Sequence, residues 1–192
     1  MIKNIILDVG GIILDDSKVN IERLLNKDCS LIYKTAYSGG FRECLLGNKT
    51  MEEHIKNLSN QKDFKDISYI LKKENLSKSC PLIKENFEYI KKLKEKGYKL
   101  YLLTNITEDT HVYLDNLVDI SQNFDGGIYS YQDHLIKPDP NIYKLIIEKF
   151  GLNKEETIFF DDKEKNVIAA RKVGIKAVVF NSIEDIKNNI EL

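Results

Sequence analysis

Cysteine is scarce in this chain, and so are proline and tryptophan. The 192 residues include three cysteines, three prolines and no tryptophan. The cysteines, Cys29, Cys44 and Cys80, are odd in number and lack the spacing of a metal-binding motif, which argues against a disulfide framework and a zinc site. A chain of this length can bury a core without such cross-links. We expect one domain, or one domain with a sizeable insertion.

An excess of either charge is also absent. The chain has 29 basic and 30 acidic residues and a formal net charge of −1, which gives no electrostatic basis for binding nucleic acid or an anionic membrane. No stretch approaches the roughly 20 apolar residues of a membrane span. The apolar run at 5–14 carries an acid and lacks the cleavage site of a signal peptide. We expect a cytoplasmic protein that acts on a small molecule; the sequence indicates no oligomeric state.

Short apolar runs predict the strands of this protein. Four of them are nearly continuous rather than alternating, as in strands buried on both faces, and a weaker fifth run lies at 126–130. Amphipathic helical patterns lie between the runs, for example the stripe from Ile83 to Leu93 that Gly97 ends. This alternation predicts an α/β fold with a Rossmann-like parallel sheet and helices on both faces. The four runs are 3–8, 98–104, 157–161 and 176–180.

Residues 17–81 interrupt the alternation. They contain no convincing strand, yet they are too many for a simple crossover. Helical patterns occur at 19–26, 30–37, 51–57 and 64–73, with breaks at 37–43 and 46–50. We interpret 17–81 as a small helical cap inserted after the first strand, so that 1–16 and 82–192 form the core.

Polar residues end the predicted strands. Asp8 ends the first, Thr104 and Asn105 end the second, and Asp161 and Asp162 end a third. Lys137 precedes a helix that Pro140 opens. Each alone is a common way to begin a turn or cap a helix. Ligands of open parallel sheets bind beyond the carboxyl ends of the strands, so the coincidence at one edge indicates a functional site.

The chemistry of such a site follows from its charges. Clustered carboxylates repel one another and tolerate this best around a cation, and Mg²⁺ suits a few carboxylates, water and a phosphate. A lysine, a hydroxyl and an amide are partners for phosphate oxygens. The residues therefore predict a magnesium site for a small phosphorylated metabolite, with Asp8 as nucleophile or ligand.

Four segments together resemble the haloacid dehalogenase-like hydrolases. They are "ILDVGGIIL", "LLTN", "IKPDPNIY" and "FFDDKEKNVIAARKVGI", in the family's order, and the resemblance covers 1–16 and about 82–181. Most members are phosphatases that form an aspartyl-phosphate, and many carry a cap after the first strand. The resemblance therefore implies a phosphoric monoester hydrolase.

The resemblance also implies a role for each metal ligand. Asp8 would attack phosphorus and bind Mg²⁺, and the main-chain carbonyl of Gly10 would bind the metal. Asp162 would be the principal acidic ligand, with Asp161 assisting. Asn166 stands where many relatives have a further acid.

Three other residues correspond to the phosphate-binding positions of the family. Thr104 and Asn105 would hold phosphate oxygens. Lys137 would balance the negative charge between the nucleophile and the phosphate, as a catalytic and phosphate-binding residue.

Gly10 departs from the usual family pattern. Most phosphatases of the family have a second aspartate there, which protonates the leaving group and then activates water. The glycine resembles the α-glucose-1-phosphate phosphatase branch, whose anomeric leaving group needs less protonation, so a sugar phosphate is one expected substrate. Asp15, Asp16, an acid of the cap or water would have to substitute.

Two further hypotheses remain open. Dehalogenases of this fold lack the second aspartate and use no metal, but the Asp161–Asp162 pair and Gly10 speak against that activity. A site that keeps phosphate and metal ligands without a proton-transfer group would instead suit a non-catalytic phosphate-binding protein.

Overall fold

The computed structural model describes residues 1–190; residues 191 and 192, the end of the predicted core, lie outside the described residues. Its centre is a five-stranded sheet in which every pairing is parallel, with the order β3-β2-β1-β4-β5. The strands are β1 Asn4–Leu7, β2 Lys99–Thr104, β3 Gly126–Tyr129, β4 Thr157–Asp161 and β5 Lys176–Val179. The predicted Rossmann-like α/β fold is confirmed, including the weaker fifth strand.

The apolar runs form strands because both faces of the sheet are covered. In β1, Ile5 and Leu7 belong to the apolar cluster on one face and Ile6 to the cluster on the other, and all three are fully buried. Such burial on both faces explains why the runs are continuous rather than alternating.

Thirteen α-helices lie in the described residues. Those of the inserted segment are α1 Lys18–Leu25, α2 Ser30–Ala36, α3 Phe41–Leu45, α4 Met51–Asn57, α5 Phe64–Leu71 and α6 Leu76–Ser79. The remaining ones are α7 Lys84–Glu95, α8 Glu108–Val118, α9 Ile120–Asn123, α10 Ser130–Asp133, α11 Pro140–Phe150, α12 Glu164–Lys172 and α13 Ile183–Lys187. None of these helices is both long enough and apolar enough to cross a membrane.

Five of the helices lie outside the helical patterns of the sequence, namely α3, α6, α8, α9 and α10. The sequence pattern predicts no helix between 105 and 125, but α8 lies there. It begins after its N-cap Thr107, whose side chain accepts a hydrogen bond from the main-chain N–H of Thr110. Only Leu114 and Val118 of α8 are buried, so its apolar stripe is too thin to be recognised. The segment at 37–43, read as a break, contains the start of α3.

The helices of 17–81 have an apolar cluster of their own. Ile21, Ile32, Ile67 and Ile70 are among its members, and each is at most 4% exposed. The two connections to the sheet run side by side, because the N–H of Asp15 donates to the carbonyl of Pro81 at 2.9 Å. This arrangement supports the proposed division into a core and an inserted cap.

Candidate active site

The two strands that carry the acids are neighbours at the centre of the sheet. Leu7 pairs with Phe160 in register, and the N–H of Asp8 donates to the carbonyl of Phe160 at 3.0 Å. Asp161 ends β4, so it reaches the same edge as Asp8. The strand order changes direction here, since β2 and β3 lie on one side of β1 and β4 and β5 on the other. Ligands of open α/β sheets bind at such a switch point.

Lys137 joins the two carboxylates. Its Nζ lies 2.8 Å from Asp8 Oδ2 and 2.6 Å from Asp161 Oδ2, and its side chain is 1% exposed. The side-chain amide of Asn105 binds the main chain of Lys137. The Lys137 N–H donates to Asn105 Oδ1 at 2.8 Å, and Asn105 Nδ2 donates to the Lys137 carbonyl at 3.0 Å. The amide of Asn105 therefore fixes the segment that carries the lysine.

The buried acids differ in their affinity for protons. Burial raises the pKa of Asp8 to about 7, although Lys137 acts in the opposite direction. Burial also acts to raise the pKa of Asp161, but Lys137 and two further hydrogen-bond donors, the Lys163 N–H and the Asn166 amide, hold it below its ordinary value. Without a cation, the site therefore favours a proton on Asp8 rather than on Asp161.

The same edge has the donor set of a metal site. Asp8, Asp161 and Asp162 each offer a carboxylate oxygen, and these oxygens lie within 4.8 Å of one another. Asn166 Nδ2 donates to both oxygens of Asp161, at 2.9 and 3.0 Å. This fixes the orientation of the amide, and leaves Asn166 Oδ1 buried without a hydrogen-bond partner in residues 1–190. Carboxylates around an unpaired acceptor fit a hydrated Mg²⁺ ion.

At both glycines after the first strand, an added Cβ would closely approach an acidic side chain. Gly11 has φ +73°, and a Cβ there would lie 3.0 Å from the side chain of Asp162. A Cβ at Gly10 would lie 2.6 Å from Asp16 Oδ2, closer than any real Cβ contact. The carboxylate of Asp16 therefore occupies the space that a side chain at position 10 would need.

Asp15 and Asp16, adjacent in the chain, lie in different surroundings. Asp15 Oδ1 accepts from the N–H of Ser17 at 3.1 Å, so it serves the turn that opens α1. Asp16 lines the same cavity as Asp8, and burial raises its pKa while Lys163 opposes the rise. Of the two acids suggested as substitutes for the missing aspartate, Asp16 is the one that lines the cavity.

Lys163 is a cation of the site that the sequence motifs do not predict. Lys163 Nζ lies 3.4 Å from Asp162 and lines the cavity, and the Lys163 N–H donates to Asp161 Oδ1 at 2.8 Å. Its pKa is raised, against the effect of burial, because Asp16, Asp8 and Asp162 surround it. Its place directly after two acids at a strand end was the signal that could have identified it.

A cavity of about 330 Å³ opens over this edge of the sheet. It brings together five of the predicted site residues. Asp161 lies behind them, fully buried against Lys137, and Asp162 stands beside Lys163. The five that line the cavity are Asp8, Gly10, Thr104, Asn105 and Lys137.

Known proteins resemble this chain along most of its length. A family model described as haloacid dehalogenase-like hydrolase matches residues 5–180. A phosphorylated carbohydrates phosphatase from Thermotoga maritima is 25% identical over 97% of this chain and 89% of its own length.

Two further similarities differ in extent. A sesquiterpene phosphatase from Aspergillus oryzae is 35% identical over 45% of this chain, which spans only 44% of that relative. A HAD family enzyme from Bacteroides thetaiotaomicron, solved with magnesium and inorganic phosphate, superposes over 100% of both chains with a TM-score of 0.76 at 23% identity. That likeness concerns the fold.

Proposed function

The chain belongs to the haloacid dehalogenase-like hydrolases, and on that premise we propose that it is a magnesium-dependent phosphatase that forms an aspartyl-phosphate on Asp8. The observation that carries the proposal is a buried carboxylate at the floor of a cavity, held by Lys137 at 2.8 Å and grouped with two further acids. The substrate is a small phosphomonoester.

The residues present fit Mg²⁺. Asp8, Asp162 and the main-chain carbonyl of Gly10 would hold the ion, with Asp161 assisting, and the free Oδ1 of Asn166 is suited to accept from a coordinated water. When bound, the ion supplies positive charge that offsets the charge of the carboxylates and of the transferring phosphoryl group.

Asp8 performs the covalent step. One of its carboxylate oxygens forms a bond to phosphorus while the bond from phosphorus to the alcohol oxygen breaks, which leaves an acyl-phosphate. Water then attacks that phosphorus, the bond from phosphorus to the Asp8 oxygen breaks, and inorganic phosphate leaves while the Asp8 carboxylate is restored. Lys137 orients the carboxylate and favours its ionised, nucleophilic form. Thr104 and Asn105 line the cavity beside it, where a phosphate oxygen would lie; the main chain of Asn105 is the available part, since its amide holds Lys137.

Asp16 is the proton-transfer group of this proposal. Its carboxylate fills the space beside Gly10, the position at which most phosphatases of the family carry the second aspartate. In its protonated form it would donate to the departing alcohol oxygen, and in its ionised form it would accept a proton from the attacking water.

The proposal also covers the class of substrate and the cellular location of the protein. The resemblance and the name of the Thermotoga relative both point to a sugar phosphate, whereas the lining that residues 17–81 give the cavity favours a less polar leaving group. The cytoplasmic location, with no nucleic acid or membrane partner, stays a prediction from the sequence. The metal-independent dehalogenase is disfavoured by the third carboxylate, Asp162, which such chemistry does not need.

A phosphate-release assay tests the proposed function. Wild-type protein is incubated with p-nitrophenyl phosphate and a set of phosphorylated metabolites, with Mg²⁺ and with EDTA. We expect turnover with Mg²⁺ alone and none from Asp8→Asn. Tight binding of phosphate esters without turnover would instead identify the non-catalytic alternative, and chloride release from 2-chloropropionate in EDTA would identify the dehalogenase.

A further inference from the structure

The cavity has a polar floor and an apolar wall. The floor, at the sheet edge, carries Asp8, Lys137 and Thr104. Every residue of 17–81 that lines the cavity is aliphatic, aromatic, a methionine or a cysteine, and no charged residue of that segment does so in the described part of the chain. This apolar wall includes Tyr33, Tyr37, Phe41, Leu45, Met51 and Ile70.

The aromatic part of the apolar wall is a packed ladder. The ring centroids of Tyr33 and Tyr37 are 4.7 Å apart, and those of Tyr37 and Phe41 are 5.1 Å apart. His54 supports Phe41 from behind, with centroids 5.8 Å apart, and its own Nε2 is anchored 2.8 Å from the carbonyl of Ala36. Since His54 is 2% exposed, the ladder is held in place before any ligand arrives.

Several polar atoms around the cavity already have partners. The Tyr33 hydroxyl donates to the main-chain carbonyl of Asp16 at 3.0 Å. Thr107 and Thr110 hydrogen-bond each other through their hydroxyls at 3.0 Å, and Thr107 also caps α8. Such groups are engaged in holding the protein together, so among residues 17–81 only the Tyr37 hydroxyl remains in the cavity lining to meet the hydroxyls of a sugar.

The apolar wall also lacks a cation for a second anionic group. Arg42 follows Phe41 in the chain, but its side chain is 61% exposed, lies 3.7 Å from Glu43 and does not line the cavity. The charged lining residues come from the core, at the floor and at the starts of α8 and α12. A substrate with one phosphate, placed at the floor, matches this distribution.

We infer that the leaving group is an apolar alcohol, alkyl or aromatic, and not a sugar; this rests on the proposed phosphatase activity. The phosphate lies on the polar floor and the hydrocarbon lies against the apolar wall. Sugar hydroxyls buried against that wall would lose more hydrogen bonds to water than the single hydroxyl of Tyr37 could replace. At about 330 Å³ the cavity lies at the small end of the range for ligand sites, which suits one ring or a short chain.

The decisive comparison uses two phosphates of equal ring size. Cyclohexyl phosphate and α-glucose 1-phosphate both carry a six-membered ring, but the ring of glucose contains an oxygen atom and bears three hydroxyls and a hydroxymethyl group. Their affinities for Asp8→Asn, which cannot turn them over, are measured by titration calorimetry in Mg²⁺ and expressed relative to inorganic phosphate. We expect cyclohexyl phosphate to bind about tenfold or more tightly than glucose 1-phosphate. Equal affinity, or tighter binding of the sugar, would overturn the inference.

A matched pair of variants locates the preference. Leu45→Ser changes a leucine of the apolar wall, and Leu31→Ser makes the same change at a leucine that is 65% exposed and outside the cavity lining. Both are made in the Asp8→Asn background. We expect Leu45→Ser to weaken cyclohexyl phosphate by roughly tenfold and to leave inorganic phosphate within twofold of its original affinity, whereas Leu31→Ser changes neither. Equal effects of the two variants would contradict the assignment of this wall.

Turnover by the wild type separates the two proposals. Hydrolysis of glucose 1-phosphate with a higher kcat/KM than cyclohexyl phosphate, together with tighter binding of the sugar, would refute the apolar leaving group and keep the phosphatase. Preferred binding of cyclohexyl phosphate without hydrolysis of any monoester would keep the apolar site and refute the phosphatase.

Discussion

Replacing Asp16 by asparagine tests whether its carboxylate transfers the proton that position 10 cannot. Asparagine has nearly the same shape, so the packing beside Gly10 is kept while the ionisable group is lost. General acid–base groups contribute roughly 10²–10⁴-fold, which corresponds to about 3–5 kcal/mol of activation free energy. We expect kcat for an alkyl phosphate to fall by that factor, with KM changed by less than about threefold.

The leaving group distinguishes a chemical role of Asp16 from a structural one. A p-nitrophenolate leaves without protonation, so formation of the aspartyl-phosphate from p-nitrophenyl phosphate, followed as a pre-steady-state burst, should slow far less in Asp16→Asn than it does with an alkyl phosphate. Asp15→Asn is the matched control, because that carboxylate serves the turn before α1, and we expect its kcat to stay within about threefold of wild type.

Moving the acid back to position 10 provides the converse experiment. A Cβ added at Gly10 would lie 2.6 Å from Asp16 Oδ2, so Gly10→Asp alone must displace the Asp16 carboxylate and should lower activity. The double variant Gly10→Asp/Asp16→Gly removes the collision, and we expect it to be at least tenfold more active than Asp16→Asn. Full activity in Asp16→Asn with alkyl phosphates would refute this account of proton transfer.

Three further predictions concern the stability of the site and its affinity for metal. Lys137→Met leaves two buried carboxylates without their cation, so we expect a loss of about 3–5 kcal/mol in the free energy of unfolding, measured by urea denaturation against the same change at a surface lysine. In metal-free buffer the folded state holds a proton on Asp8 up to about pH 7, whereas the unfolded state releases it near pH 3.8. The free energy of unfolding should therefore fall as the pH rises from about 4 to about 7 and level off above. An unchanged dependence of that free energy on pH in Asp8→Asn would contradict this. Gly11→Ala forces a Cβ to 3.0 Å from the side chain of Asp162 at φ +73°, so the Mg²⁺ affinity measured by calorimetry should fall. Gly39→Ala is the control, because Gly39 has φ +54° and an added Cβ would meet no atom within 4 Å. This control strains the backbone and should leave the Mg²⁺ affinity unchanged.

The sheet and the convergence of its acids could be predicted because both follow from local patterns. A continuous apolar run that ends in an acid, as at Asp8 and Asp161, predicts a buried strand and a carboxylate at its end. Parallel pairing then brings those ends to one edge. Neither step requires knowledge of distant contacts.

The remaining features depend on packing that the sequence pattern does not encode. The contact between Gly10 and Asp16 arises from the shape of the loop between β1 and α1, in which these two positions are six apart. The engagement of Asn105 with the main chain of Lys137 joins positions 32 apart in the chain. The helix α8 has only two buried residues, and the apolar wall is assembled from several short helices.

The most direct test of the central claim is phosphate release from p-nitrophenyl phosphate by the purified protein, followed while Mg²⁺ is added to an EDTA-treated sample. We expect no release before addition, turnover that saturates with Mg²⁺, and none at any concentration in Asp8→Asn. Release that is independent of Mg²⁺, or that persists in Asp8→Asn, would contradict it.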